Sequence, residues 1–237
     1  MTESRIGCAG WNISREASPE FPAHGSHLER YAGVLNAVEI NSSFYRPHQP
    51  QTYARWADSV PDDFRFSVKL PRAITHDQRL RDAEPLLDQF AAQAGTLCTK
   101  LGCVLVQLPP SLRLDLAVTD RFLLQLRQRF GCMLACEARH GSWFGDDASA
   151  LLRQHRITRV IADPPVGQPG PYVATTGDAY LRLHGSPRMY FSAYDEAYLR
   201  SVADWLQGRD GWCIFDNTAS GAAILNAVQL QKIQRSR

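Results

Sequence analysis

Short apolar runs, each closing on a polar or charged residue and then a turn, recur along the chain. Residues 6–10, 37–41, 64–69, 103–107, 133–137, 159–162, 180–184 and 212–215 have this form, and their brevity and their Gly, Pro, Asn and Asp boundaries predict eight buried strands. Helical spacing fills most of the gaps. Leu28, Tyr31, Ala32 and Leu35 share one face of a helix starting near Ser26, and further helices are predicted over 52–57, 119–130, 146–155, 195–206 and 219–230. Another runs from Pro85, suited to a first helical position, to about Leu101, with Gly102 as its C′ residue. The stretch between Asp163 and Tyr180 is rich in Pro and Gly and shows no helical period, so that crossover is expected to lack a regular helix. Alternation of this kind predicts an α/β chain with a parallel sheet, and eight units suggest a single (β/α)8 TIM-type barrel occupying residues 1–237 as one domain.

The phase of each strand adds to this. Side chains alternate across a strand, and Val38 and Ile40 oppose Glu39 and Asn41, Phe66 and Val68 oppose Ser67 and Lys69, Leu134 and Cys136 oppose Glu137, and Leu181 and Leu183 oppose Tyr180, Arg182 and His184. One set is apolar throughout. The other becomes polar toward the C-terminal end, where barrel enzymes place their chemistry.

Composition changes this picture little. The 237 residues, 44% hydrophobic and 21% charged, suit a folded domain with a sizeable core, and a net charge of +2 gives little support to bulk electrostatic binding of nucleic acid. Six cysteines have no C-x-x-C spacing and lie mostly in strand-like runs, as small buried hydrophobes. No signal h-region and no run of about 20 apolar residues is present, so a cytoplasmic protein without a membrane partner is expected. Neither G-x-G-x-x-G nor G-x-x-x-x-G-K-[ST] follows any strand, so no nucleotide cofactor is expected.

The strand exits supply the candidate chemistry. Glu39 and Glu137 are the carboxylates for acid–base work of the kind glycoside hydrolysis uses, with Lys69 and Arg139 as groups that can neutralise them. Glu39, Glu137, His184 and Asp216 are the expected ligands if a divalent metal binds. Lys69, Arg139, His140, Arg182 and His184 form a cationic rim, joined by Arg72, His76 and Arg79 from the loop after the third strand. The segment from Asp216 to Ala222 is expected to open the last helix, where free N–H groups near Asn217 can bind an anion or Asn217 can act as a cap. Trp11, Phe44, Tyr45, Trp143, Tyr190 and Tyr194 are rim aromatics able to stack on a sugar or base, and Asn41, Gln107 and Asp163 complete the ring.

The motifs IGCAGW, NAVEINSSFYRP, FRFSVKLPRAITHDQRL, LGCVLVQLPPS, CEARHGSWF, ADPP, YLRLHGSPRMY and FDNTASGAAILNA run nearly end to end. On them the sequence resembles the YecE-like family, domain of unknown function 72. The resemblance implies a TIM-type barrel and supplies no reaction. The residues themselves point to an enzyme that hydrolyses, or cleaves by elimination, an anionic sugar- or phosphate-containing substrate. Glu137 or Glu39 is its general base, His184 its proton shuttle, Asp216 a further catalytic carboxylate, and Arg139, Lys69 and Arg182 its anion clamp. Trp11, Asn41, Tyr45, His140, Asp163 and Asn217 are expected to bind substrate. A non-catalytic module for a nucleotide or nucleic-acid end, a metal-dependent phosphoesterase and a sugar-phosphate isomerase are the alternatives.

Overall fold

A computed structural model describes residues 4–236. Its strands are β1 (Arg5–Cys8), β2 (Ala37–Ile40), β3 (Arg65–Lys69), β4 (Leu101–Gln107), β5 (Met133–Glu137), β6 (Thr158–Arg159), β7 (Ile161–Asp163), β8 (Ala179–Leu183) and β9 (Gly211–Phe215). The helices are α1 (His27–Ala32), α2 (Ser42–Tyr45), α3 (Pro50–Asp58), α4 (Glu84–Ala94), α5 (Leu116–Arg129), α6 (Asp146–Gln154), α7 (Glu196–Leu206) and α8 (Ala222–Arg235). The fold is α/β, and every strand pairing is parallel, as crossover helices require.

The strands form two sheets, β1-β9-β8-β7 and β2-β3-β4-β5-β6. Two seams separate them, and each has a local cause. At the first, Tyr31 of α1 inserts its hydroxyl between β1 and β2, accepting from the Cys8 N–H at 2.8 Å and donating to the Ala37 carbonyl at 2.9 Å. Gly7 makes the approach feasible, because a Cβ there would meet the Ala37 carbonyl oxygen at 2.0 Å. Beyond the tyrosine, an isolated parallel bridge joins Ala9 to Glu39. At the second seam the run expected as one strand over 159–162 is divided. β6 pairs with β5 and β7 with β8, and Val160 between them donates to the Cys136 carbonyl at 3.0 Å.

Two apolar clusters fill the molecule. The larger packs the helices on the strands. The smaller takes Ala37, Cys103, Leu105, Ala135, Val160, Tyr180, Trp212 and Ile214 from strands of both sheets, with the Tyr180 and Trp212 rings stacked at 5.8 Å. It lies between the sheets, beneath the polar strand ends.

Among the described residues, side-chain caps mark three of the eight α-helix starts. Ser26 and Glu29 form a capping box on α1, and Asp115 and Asp195 cap α5 and α7. Two expectations fail. Gly102 does not stop a helix: α4 ends at Ala94, a tighter turn follows, and Gly102 lies within β4, where a Cβ would sit 2.6 Å from the Trp212 ring. The last helix begins at Ala222 rather than Ala219, with left-handed Gly221 before it and no side-chain cap, so the segment from Asp216 lies outside it. The segment between β7 and β8 has no helix, as the sequence indicates.

Candidate functional site

Arg182 occupies the centre of the polar strand ends. It leaves β8 on the same side as Tyr180 and is fully buried. Its Nε and Nη2 grip Glu39 of β2 at 3.0 and 2.7 Å, its Nη2 also reaches Asp216 at 3.0 Å, and its Nη1 donates to Glu137 of β5. Tyr180 donates to Glu39 at 2.8 Å and contacts Ser67 of β3 at 2.6 Å. Isolated burial of any one of these charges costs several kcal/mol, and the arrangement offsets that cost by placing one guanidinium among three carboxylates. Burial works against the charge on Glu137, yet Arg182, His184 and Arg139 hold it well below the usual carboxylate range. The same opposition, resolved by Arg182 and His184, lowers Asp216.

His184 follows β8 and is also fully buried. Its Nδ1 bonds Asp216 at 3.0 Å. Its Nε2 stands 3.4 Å from Glu137 Oε1 without forming a hydrogen bond and has no other partner. Burial disfavours its charge, but Asp216 and Glu137 outweigh that and raise it above the ordinary histidine value.

Lys69 and Arg139 form the outer layer. Arg139 binds Glu137 Oε1 at 2.7 Å and keeps its side chain partly accessible. Lys69, at the end of β3, holds Nζ 4.2 Å from the centre of the Phe44 ring. Burial and the nearby Arg182 push its amine down to about 8, against the pull of Glu39, Glu137 and Asp216. His76 lies close enough to Lys69 and Arg139 for both to lower its pKa further, after burial. Asn41, after β2, has a buried Oδ1 with no partner.

Several roles expected from sequence change here. Arg182 is no clamp for an outside anion, because its donors already face carboxylates. One guanidinium bridges Glu39 and Glu137, and neither is free as a base in this arrangement. The expected metal ligands surround that guanidinium, and no group of three or more His, Cys, Asp or Glu among the described residues is arranged to hold a metal ion.

Asn217 does not cap the last helix. It is fully buried, and its Nδ2 donates to the Ser192 carbonyl and to Asn226 Oδ1, at 2.9 and 3.0 Å. Asp163 accepts from the Tyr194 hydroxyl at 2.7 Å. His140 turns its Nδ1 onto the Ser142 N–H at 3.1 Å, and half-buried Trp11 packs edge-on against Trp56. Arg72 pairs with Asp77, and Arg79 donates to the Ser111 carbonyl.

Of the expected rim aromatics, Trp143 is a core residue whose Nε1 donates to the Leu112 carbonyl, and Phe44 and Tyr194 are buried. Tyr45 stands 78% exposed and Tyr190 37%. The sequence pattern passed over Tyr180 and Ser67 as site residues, although both lie on the polar face already assigned to their strands. His76, one of the expected loop cations, is set near Lys69 and Arg139.

The described residues include no helix long and apolar enough to cross a membrane. The sequence model of a family described as "Protein of unknown function DUF72" matches residues 5–237. The UPF0759 protein YecE of Escherichia coli is 33% identical over 159 residues, 64% of this chain, and the chain spans 58% of that protein's length. The UPF0759 protein YunF of Bacillus subtilis is 24% identical over 267 residues, covering 96% of this chain and 93% of its own. Among solved structures, a DUF72 family protein from Thermotoga maritima is 25% identical with a TM-score of 0.80, over 98% of this chain and 99% of that one. A second, from Enterococcus faecalis, is 20% identical with a TM-score of 0.82, over 98% and 96%.

Proposed function

The chain belongs to the DUF72 family of proteins of unknown function, and from that premise we propose that it is an enzyme acting on an anionic, sugar- or phosphate-containing small molecule by hydrolysis or lyase-type cleavage. We place its site at the C-terminal ends of one closed (β/α)8 barrel, of which the two sheets are two arcs. The Ala9–Glu39 bridge, the Val160 bond to Cys136 and an interior cluster drawn from both arcs support the closure.

The observation that carries the reading is the buried polar pair His184 Nε2 and Asn41 Oδ1. Among the described residues neither has a hydrogen-bond partner, His184 Nε2 standing 3.4 Å from Glu137 Oε1, and buried polar atoms are rarely left so without a ligand or water to meet them. In this reading Arg182 is scaffold: it fixes Glu39, Glu137 and Asp216, which in turn hold His184. The imidazolium is then the acid, with Nδ1–H on Asp216 and Nε2–H free to protonate a leaving oxygen. Arg139, whose side chain stays partly accessible, holds the anionic group.

The test is calorimetric titration of the whole chain with ribose 5-phosphate and inorganic phosphate. Wild type is expected to bind at least one of them, and Arg139→Gln to weaken binding about 10-fold, the loss of roughly one charge-assisted hydrogen bond. An unchanged affinity in the variant, or no heat with either ligand, would overturn the reading. A second reading, non-catalytic binding of a nucleotide or nucleic-acid end, has in its favour the exposed Tyr45 and Tyr190, and Phe191 with the Arg188 guanidinium 3.9 Å from its ring centre. Tight, salt-dependent binding of an oligonucleotide with no product formed would select it.

A further inference from the structure

Of the 26 Lys and Arg residues, only Lys69, Lys100 and Lys232 are lysines. The chain meets nearly every demand for positive charge with arginine, so each position that keeps an amine calls for its own account. Two have one. Lys100 donates to the carbonyls of Ala57 and Val60 at 2.8 and 2.6 Å, fastening α3 to the start of β4. Lys232 pairs with Glu20 on the surface at 2.7 Å.

Lys69 has neither kind of bond. It is 7% exposed, and among the described residues its Nζ makes no hydrogen bond and no ion pair, resting instead over the Phe44 ring. The charged groups around it are Arg182 of β8, Glu39 of β2, Glu137 of β5, Asp216 after β9, and His76 in the loop that follows β3. A guanidinium here would stay charged at any working pH, whereas a buried amine beside another cation can lose its proton and act as a nucleophile.

We propose that Lys69 Nζ forms an imine with the carbonyl carbon of an anionic aldehyde or ketone, whose charged group Arg139 holds. The inference rests on the strand-end site proposed above and names its substrate class. The Nζ lone pair makes the C–N bond while the carbonyl π pair moves to oxygen, which takes a proton from the His184 imidazolium. The nitrogen returns one of its protons to the imidazole. The imidazolium then protonates the hydroxyl, which departs as water as the nitrogen lone pair closes C=N. The product is a protonated imine, able to accept the electron pair of a bond breaking one carbon away. That favours lyase-type cleavage over hydrolysis.

The whole chain is incubated with glyoxylate or glyceraldehyde 3-phosphate and cyanoborohydride, and the adduct is located by peptide mass mapping across a pH series. The expected result is a single adduct, at least 10-fold more abundant on Lys69 than on Lys100 or Lys232. Its rate should level off above pH 8 to 9, where an ordinary lysine with a pKa of about 10.4 would still be rising. Lys69→Arg should remove the adduct. Equal labelling of the three lysines, or a Lys69 rate that climbs through pH 10, overturns the proposal. No Lys69 adduct with phosphate binding intact sinks the imine and leaves the strand-end site standing. No adduct and no phosphate binding sinks both.

Discussion

At Arg182, four of the five guanidinium N–H donors face carboxylate oxygens. Removing the guanidinium leaves Glu39, Glu137 and Asp216 buried together without it. Arg182→Met should therefore destabilise the chain by about 3–5 kcal/mol, the usual loss on breaking a buried pair from one side. Urea unfolding checks this, and a loss under 1 kcal/mol would mean the network is solvated rather than buried. The polar character of this position was legible, since Arg182 shares a strand face with Tyr180 and His184. Its direction was not. An arginine at a strand exit looks the same in sequence whether it turns outward to a ligand or inward to three carboxylates, because those carboxylates come from β2, β5 and the end of β9.

Elements carry a different kind of information. Strand runs and helix caps act over a few residues, so Ser26 announces α1 directly, while the helix expected from Thr119 begins at Leu116 behind its Asp115 cap. The seams do not follow local rules. Tyr31 has the spacing of a core residue on α1, yet its hydroxyl replaces a direct hydrogen bond between β1 and β2. Tyr31→Phe leaves the Cys8 N–H and Ala37 carbonyl without their shared partner, and should cost about 1–3 kcal/mol, the penalty for stranding buried polar groups. Faster amide exchange at Cys8, measured against Leu134 in β5, would place the loss at this seam. Equal exchange in both would show that another group covers it. Gly102 misled for a related reason. Glycine is a common helix stop, but here it clears space for the Trp212 ring, a constraint set by a strand more than a hundred residues away.

Across the whole molecule the charge network sets the acid limit of stability. Glu137 and Asp216 are held below their ordinary values in the folded chain, so their contribution is complete above the unfolded carboxylate range near pH 4 and is lost as pH falls through the lowered folded values. His184 has the opposite sign: being raised, its contribution is complete below the unfolded histidine value near 6.5 and fades as pH climbs past the folded value. Unfolding free energy should therefore drop from pH 5 to pH 3, and Asp216→Asn should flatten that slope. An unchanged slope in the variant would remove Asp216 from the linkage. The barrel closure proposed above belongs to this scale as well, since it joins both seams at once.

Alternation of apolar runs with helical periods determined the α/β class, the parallel strands and the helix-free segment before β8, because each depends on burial of one face of a short element. The same alternation picked out the polar strand ends. Only the tertiary structure decided which of those groups pair with one another. It put Arg182 among the carboxylates, turned Asn217 onto α8, buried Trp143, and left Lys69 with no hydrogen bond or ion pair among the described residues. Pairing depends on the separation of side chains from strands far apart in sequence. A charge buried beside a partner falls in energy while the same charge alone does not, and no local pattern records that difference.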